Sequence, residues 1–405
     1  MATQSMGAAR ALAEWAVAVE PSADDLALAD RSLTDTVAVA LAAHDHPILE
    51  VAASLSEVGR WAVACHILDF DDLHMQTTTH ISTVCVPVAL AGGGDSRAYL
   101  AGAGVMARLG LWLGWKHYAL GWHATTTTGA IAAAATAAYA RGFDAEQMAR
   151  AMALATPAAG GVQRSFGTDA KSLQVGFAAE AGVRAAALVE AGATADTSAV
   201  DAWLALMGGE MGAPTQDDAV VPGGLAIKMY PACYALQRPT AAVSALSDDV
   251  DPATVRRVVV RTPEGTVTPL IHHRPRTGLE GKFSLEYAVA AALLDDHQGF
   301  ASFSDEAVLR PEAQRIVELV VVELTEGGDW LLAGNVEVEV QTDAGTTTTS
   351  LGFPPGSPQR PPTAEEFARK VEDCLSGLDV GPGDLTWASG ADLLRRHLRP
   401  TTSTT

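Results

Sequence analysis

Residues Gly129 to Tyr139 read GAIAAAATAAY, and Asp144 to Ala155, just beyond, read DAEQMARAMALA. Alanine gives up no side-chain rotamers on entering a helix, so the first stretch predicts one. Because it is small and apolar on nearly every face, that helix is expected inside a bundle rather than on its surface. The second stretch sets apolar side chains at three- and four-residue intervals behind an aspartate that can cap the N-terminus, the pattern of an amphipathic helix. Working outward, Ala, Leu, Met and Glu dominate from residue 5 to about residue 210, and Phe177 to Ala191 is again small and apolar on most faces. This region predicts a helical domain.

The pattern changes near residue 250. Thr254 to Arg261 (TVRRVVVR), Ile316 to Leu324 and Val336 to Val340 are β-branched runs of strand length, with turns such as Gly327-Gly328 between them. Leu285 to Leu294 and Pro311 to Ile316 read as helices, so this part is expected to be α+β. The fold class is therefore mainly α: a large all-helical domain over 1–240, continued by 363–400, and a smaller α+β domain over 241–353. Residues 354–362 read as a Pro-rich linker, after which Thr363 and Glu366 form a capping box that opens a last helix. The threonine-rich stretches Thr346 to Ser350 and Thr401 to Thr405 read as a turn and a frayed tail.

The 405 residues carry 27 basic and 48 acidic side chains, a net charge of −21. A nucleic-acid binder needs a clustered cationic face. The densest basic run, Arg395, Arg396, His397 and Arg399, reads instead as charges closing a last helix. Cys65, Cys85, Cys233 and Cys374 lie far apart without a CxxC pair, so they are expected as reduced, mostly buried thiols. The N-terminus lacks a cationic start followed by an apolar stretch, and no window reaches the roughly 18 strongly apolar residues of a membrane span. A cytoplasmic protein without a membrane partner is expected.

Only five lysines occur, Lys116, Lys171, Lys228, Lys282 and Lys370, against 22 arginines. An ammonium, unlike a guanidinium, can lose its proton when buried, so a lysine retained in this background points to chemistry arginine cannot do. Cys65 to Leu90 (CHILDFDDLHMQTTTHISTVCVPVAL) packs His66, Asp69, Asp71, Asp72, His74 and His80 close together. It reads as a polar helix end or loop feeding a site. Histidine and aspartate can also ligate metals, but the spacings match no H-E-x-x-H pattern. Gly121 to Gly129 (GWHATTTTG) puts His123 at the start of the alanine-rich helix, where unpaired N–H groups suit a carboxylate. Ser165 to Gly176 (SFGTDAKSLQVG) lacks the glycines of a phosphate loop and, with Gln163, those of a nucleophile elbow around Ser165. Ile227 to Gln237 (IKMYPACYALQ) sets Lys228 in apolar surroundings that can make a lysine a general base. Cys233 there reads as a buried thiol.

Taken in order, these motifs are D-F-D-D-x-H from Asp69, H-x-S from His80, P-x-A-L-A from Pro87 and G-W-H ending at His123. They continue with F-G-x-x-x-K-x-x-x-x-G-x-A-A from Phe166, K-x-Y-P-x-C from Lys228 and K-F-S-L-x-Y from Lys282. The series resembles the MmgE/PrpD family over residues about 5 to 380. The resemblance implies that the α+β domain is a lid, that no metal or organic cofactor is used, and that the protein is a homodimer acting on a small polycarboxylate. It places the active-site pattern on Asp69, His80, His123, Lys171 and Lys228, with Leu73, Tyr230 and Tyr287 toward the substrate. Two positions depart from the family: Leu73 replaces a threonine, removing a hydroxyl from the substrate side, and Ile81 replaces a proline after the second histidine.

The implied chemistry is general acid–base catalysis through a carbanion. Lys228 or His123 would handle the proton, Lys171 and His80 would clamp carboxylates, and Asp69 would orient a histidine or hold a substrate hydroxyl. Dehydration of a 2-methylcitrate-like substrate is the first expectation. Epimerisation or decarboxylation of an iminodisuccinate- or cis-aconitate-like carboxylate is the alternative, and a catalytically lapsed dicarboxylate-binding protein is a second one.

Overall fold

The computed structural model describes residues 7–212, 218–328 and 330–399, so the tail Thr401–Thr405 lies outside the described residues. The chain is mainly α, 57% helical, with a four-stranded mixed sheet. It divides into two compact units: the residues up to Ala226 together with those from Cys374 onward, and Ile227–Asp373.

At the centre of the first unit lies the helix Ala124–Ala140, buried at every position from Ala124 to Ala138. It packs against helices Ser96–Ala119 and Ala170–Glu190. Small residues set how close these helices come. A Cβ on Gly182 would lie 2.3 Å from Ala133 Cβ, and one on Gly102 only 1.7 Å from Thr136 Oγ1. Helix Ala145–Ala155 starts with the Asp144–Gln147 capping box, in which Asp144 accepts from Gln147 N–H at 2.8 Å. Around this centre stand Ala8–Ala18, Ala23–Ala42, Glu57–Ile67, Ser82–Ala91 and the closing helix Gly390–His397. Among the described residues no helix is long and apolar enough to cross a membrane.

In the second unit the strands β1 (Val255–Pro263), β2 (Val320–Thr325), β3 (Val336–Thr342) and β4 (Gly345–Leu351) lie in the order β2-β1-β3-β4. β1 pairs parallel with β2, and β3 runs antiparallel to both β1 and β4. Val336, Val338 and Val340 point inward, while Glu337 and Glu339 reach Arg261 at 2.6 and 3.0 Å on the other face, the two-residue alternation of a sheet covered on one side. Residues 316–319, expected in a strand, end the helix Pro311–Leu319: Pro311 fixes its first turn and Ala313, Ile316 and Val317 bury one helical stripe. Thr346–Ser350, expected as a turn, belongs to the exposed strand β4, because β-branched threonine suits a pleated edge. Thr363 and Glu366 do exchange the two bonds of a capping box ahead of helix Ala364–Leu375, at 2.8 and 3.1 Å. Pro354 to Ser357 are buried, and Gly356 accepts from Ile227 N–H at 2.9 Å. A Cβ on Gly356, whose φ is 86°, would lie 1.9 Å from the Ile227 oxygen, so glycine is what lets the segment lie against the residue preceding Lys228.

Candidate active site

Helix Glu57–Ile67 carries His66 in its last turn, and the chain then reverses at Asp69, whose φ of 56° is left-handed. Aspartate tolerates that region better than bulkier side chains. The reversal sends Asp71 and Asp72, neither exposed to solvent, to opposite sides. Asp71 Oδ2 accepts from His66 Nδ1 at 2.7 Å and lies 2.9 Å from His80 Nδ1. Asp72 turns instead toward helix Ser82–Ala91, accepting from Ser82 N–H at 3.3 Å and from its hydroxyl, which in turn meets Tyr99 OH at 2.8 Å. The two neighbouring carboxylates thus fix one loop from both ends, Asp71 at the imidazole of His80 and Asp72 at the backbone two residues later.

The rest of that loop is equally constrained. Leu73 exchanges backbone hydrogen bonds with Ala226, both 2.8 Å, and its side chain is buried. His74 Nε2 donates to the Pro222 carbonyl at 2.7 Å, which leaves Nδ1 to accept from Thr77 Oγ1 at 2.7 Å. Burial holds His74 below the ordinary histidine value, consistent with that neutral tautomer. The N–H of His80 donates to Thr125 Oγ1 at 3.1 Å, joining the loop to the first turn of the central helix. The hydroxyls of Thr126, Thr127 and Thr128 donate to the carbonyls of His123 and Ala124, so they close that turn rather than face a ligand.

His123 caps this helix and is buried. Its tautomer is set by Gln174. Val162 N–H donates to Gln174 Oε1 at 3.0 Å and Gln174 Nε2 donates to the Val162 carbonyl at 3.5 Å, which turns Oε1 toward His123 Nδ1 at 3.4 Å. Nδ1 therefore carries the hydrogen and Nε2 the lone pair. The ring stacks near His66 with centroids 5.9 Å apart and meets the edge of Phe166 at 4.9 Å, while His66 and His80 are 4.8 Å apart. Lys171, in the first turn of helix Ala170–Glu190, forms an ion pair with Asp69 and lies 5.8 Å from the Phe166 centroid.

The electrostatics follow from burial. His66 is brought down to about 4, chiefly because its charged form would be desolvated, with Asp71 opposing the shift and Lys171 adding to it. His123 is held well below the ordinary value by desolvation and then by His66, Lys171 and His80. Both are neutral at pH 7, and each has one lone-pair nitrogen. His66 Nε2 is buried and has no hydrogen-bond partner among the described residues. His66, Asp71 and His80 could also hold a metal ion, since their ligand atoms lie within 4.8 Å of one another, but a cation would compete with both Nδ1 atoms for the same Asp71 oxygen.

Asp69, His80, His123 and Lys171, singled out from the sequence, are thus brought together in the first unit. Lys228, Tyr230 and Tyr287 belong to the second. Lys228 is buried there, the backbone N–H of Tyr230 donates to Gln237 Oε1 at 3.1 Å, and the Tyr287 hydroxyl donates to the Ser302 carbonyl. Burial raises the hydroxyl of Tyr287 to about 12 and that of Tyr230 in the same direction. Sequence reasoning noted His66 and Asp71 in the polar cluster and Phe166 in a motif but gave none of them a role in the site, and it did not single out Gln174. The carboxylate that orients histidines is Asp71, whereas Asp69 is paired with Lys171. Nothing in D-F-D-D distinguishes the three carboxylates until the left-handed turn at Asp69 gives each its direction.

The family model described as the MmgE/PrpD N-terminal domain matches residues 60–206, and that described as the MmgE/PrpD C-terminal domain matches residues 230–380. The cis-aconitate decarboxylases of Aspergillus terreus and of Aspergillus terreus strain NIH 2624 / FGSC A1156 are each 25% identical to the chain over 305 residues, covering 64% of this chain and 62% of theirs. The match therefore spans less than two thirds of the length of those relatives. With both domain models matched in order along most of its length, the chain belongs to the MmgE/PrpD family.

Proposed function

We propose that the chain is a lyase acting on a small polycarboxylate, with side chains alone serving as acid and base. One observation carries this reading: buried His123 is neutral and fixed in one tautomer with its Nε2 lone pair free to take a proton, and His80 Nδ1 stands 2.9 Å from the Asp71 carboxylate in the same cluster. The first imidazole serves as base and the second as acid. In dehydration, His123 Nε2 takes a proton from the carbon next to a carboxylate, the electron pair forms the double bond, and the departing hydroxide leaves as water with the proton of His80. Lys171 supplies the local cation for a substrate carboxylate, exchanging part of its contact with Asp69. Lys228, Tyr230 and Tyr287 enter through the family resemblance. Positioned proton transfer of this kind is worth roughly 10²- to 10⁴-fold in rate.

Leu73 favours a second reading. Its buried apolar side chain stands where the family pattern has a hydroxyl, which suits a substrate that has none to recognise. That substrate would be cis-aconitate-like, as the names of the Aspergillus relatives suggest, and the reaction a decarboxylation. The carbon–carbon bond to one carboxylate breaks, carbon dioxide leaves, and His80 protonates the resulting carbanion. Homodimeric assembly and a cytoplasmic location go with either reading.

Incubation with a 2-methylcitrate-like, a cis-aconitate-like and an amino-dicarboxylate candidate in heavy water, followed by proton NMR, separates the outcomes. A new alkene with loss of water supports dehydration. Deuterium in a product that has lost carbon dioxide supports decarboxylation, and exchange without loss of mass supports epimerisation. No exchange and no product with any carboxylate that binds would overturn the lyase reading. Turnover is expected to survive prior treatment with a chelator, and its loss, restored by one divalent metal, would transfer the chemistry to the His66–Asp71–His80 group.

A further inference from the structure

The arginines near the C-terminus do more than close a helix. A cleft of about 240 Å³ in the first unit is lined by Glu57, Arg60, Trp61, Arg395, Leu398 and Arg399. Arg395 pairs with Glu57 through Nε and Nη2 at 3.1 Å, reaches Asp392 at 3.2 Å, and lies with its guanidinium 5.6 Å from the Trp61 ring. Arg60 donates from Nη1 to the Leu55 carbonyl at 2.7 Å, but its Nε is buried with no hydrogen-bond partner among the described residues. Arg399 donates from Nε to the Arg395 carbonyl at 2.9 Å.

Three guanidinium groups therefore face one lining carboxylate, in a protein whose net charge is −21. Like charges gathered in one concavity repel, and an anion held between them relieves that repulsion. The planar donor forks of arginine fit carboxylate and phosphate oxygens in pairs, which a lone chloride would not exploit. The volume corresponds to about eight water molecules at ~30 Å³ each, enough for a compact ion with two or three acidic groups.

We propose that this cleft is a second anion site, separate from the histidine cluster, that takes a small multivalent anion bearing carboxylates or phosphates. The same helix that presents Glu57, Arg60 and Trp61 to it carries His66 in its last turn. The proposal does not depend on the reaction the histidines perform.

Titration calorimetry of the full chain at fixed ionic strength, with pyrophosphate and with tricarballylate as probes, tests it. The wild type and His123→Ala are both expected to bind at least one probe, and the stronger of the two identifies phosphate or carboxylate as the preferred chemistry. Arg60→Gln combined with Arg399→Gln is expected to weaken that binding at least tenfold while circular dichroism and turnover stay unchanged. Should the double variant fail to fold, Arg399→Glu alone is expected to show the same loss. Unchanged affinity in these variants, affinity that disappears in His123→Ala, or no binding of either probe at millimolar concentration would overturn the site.

Discussion

Asp71 and Asp72 are chemically identical neighbours with opposite surroundings. Asp71 faces two imidazoles, whereas Asp72 is raised to about 7 by burial, an effect that its bonds to Ser82 only partly offset. Replacing each by asparagine separates their roles. Asp71→Asn removes the carboxylate that stands against the Nδ1 atoms of both His66 and His80, so kcat/KM is expected to fall by about 10²- to 10⁴-fold, mostly in kcat. Asp72→Asn keeps a hydrogen-bonding side chain beside Ser82 and is expected to retain most turnover. Steady-state kinetics of the two variants across pH check the contrast, and equal losses would show that Asp71 acts only through the fold of the loop.

At the level of elements, the site depends on how closely the backbone of one segment lies against the side chains of another. Gly161 accepts from His123 N–H at 3.0 Å and has φ 116°, and a Cβ there would lie 2.1 Å from Thr126 Oγ1 and 2.4 Å from Gln174 Oε1. Gly161→Ala must therefore displace the amide that sets the His123 tautomer. It is expected to cost about 1 to 3 kcal/mol in stability and to reduce kcat more than that loss alone explains. Urea unfolding, read beside kcat measured well below the unfolding midpoint, separates the two effects. Gly182, where helix Ala170–Glu190 crosses Ala133, offers the control: alanine there should cost similar stability by pushing the helices apart, with a smaller effect on kcat.

At the level of the molecule, the buried groups make stability depend on pH in opposing senses. His66 and His123 have depressed values, so the stabilising effect of burying them neutral is present above about 6.5 and is lost as pH falls through the window toward 4 that His66 defines. Asp72 has a raised value, so its contribution is present below about 4 and is lost as pH rises toward 7. Between pH 6.5 and 4.5 one carboxyl therefore offsets one of the two histidines. Asp72→Asn removes that offset, and chemical denaturation is expected to show its stability falling more steeply on acidification than the wild type's, by about 1.4 kcal/mol per pH unit. Equal slopes would mean that Asp72 is ionised in the fold. The sequence alone determined the helical class, the change to β-branched segments near residue 250 and the family, because periodicity, alanine content and motif order are properties of the chain. It also marked Asp69, His80, His123 and Lys171, scarce or clustered groups that stand out in one dimension. Only the tertiary structure decided that Asp71 holds the histidines while Asp69 pairs with Lys171, that His66 and Gln174 belong to the cluster, and that terminal arginines meet Arg60 in a cleft. Those outcomes rest on side-chain direction and desolvation, which arise only when segments distant in sequence exclude water together.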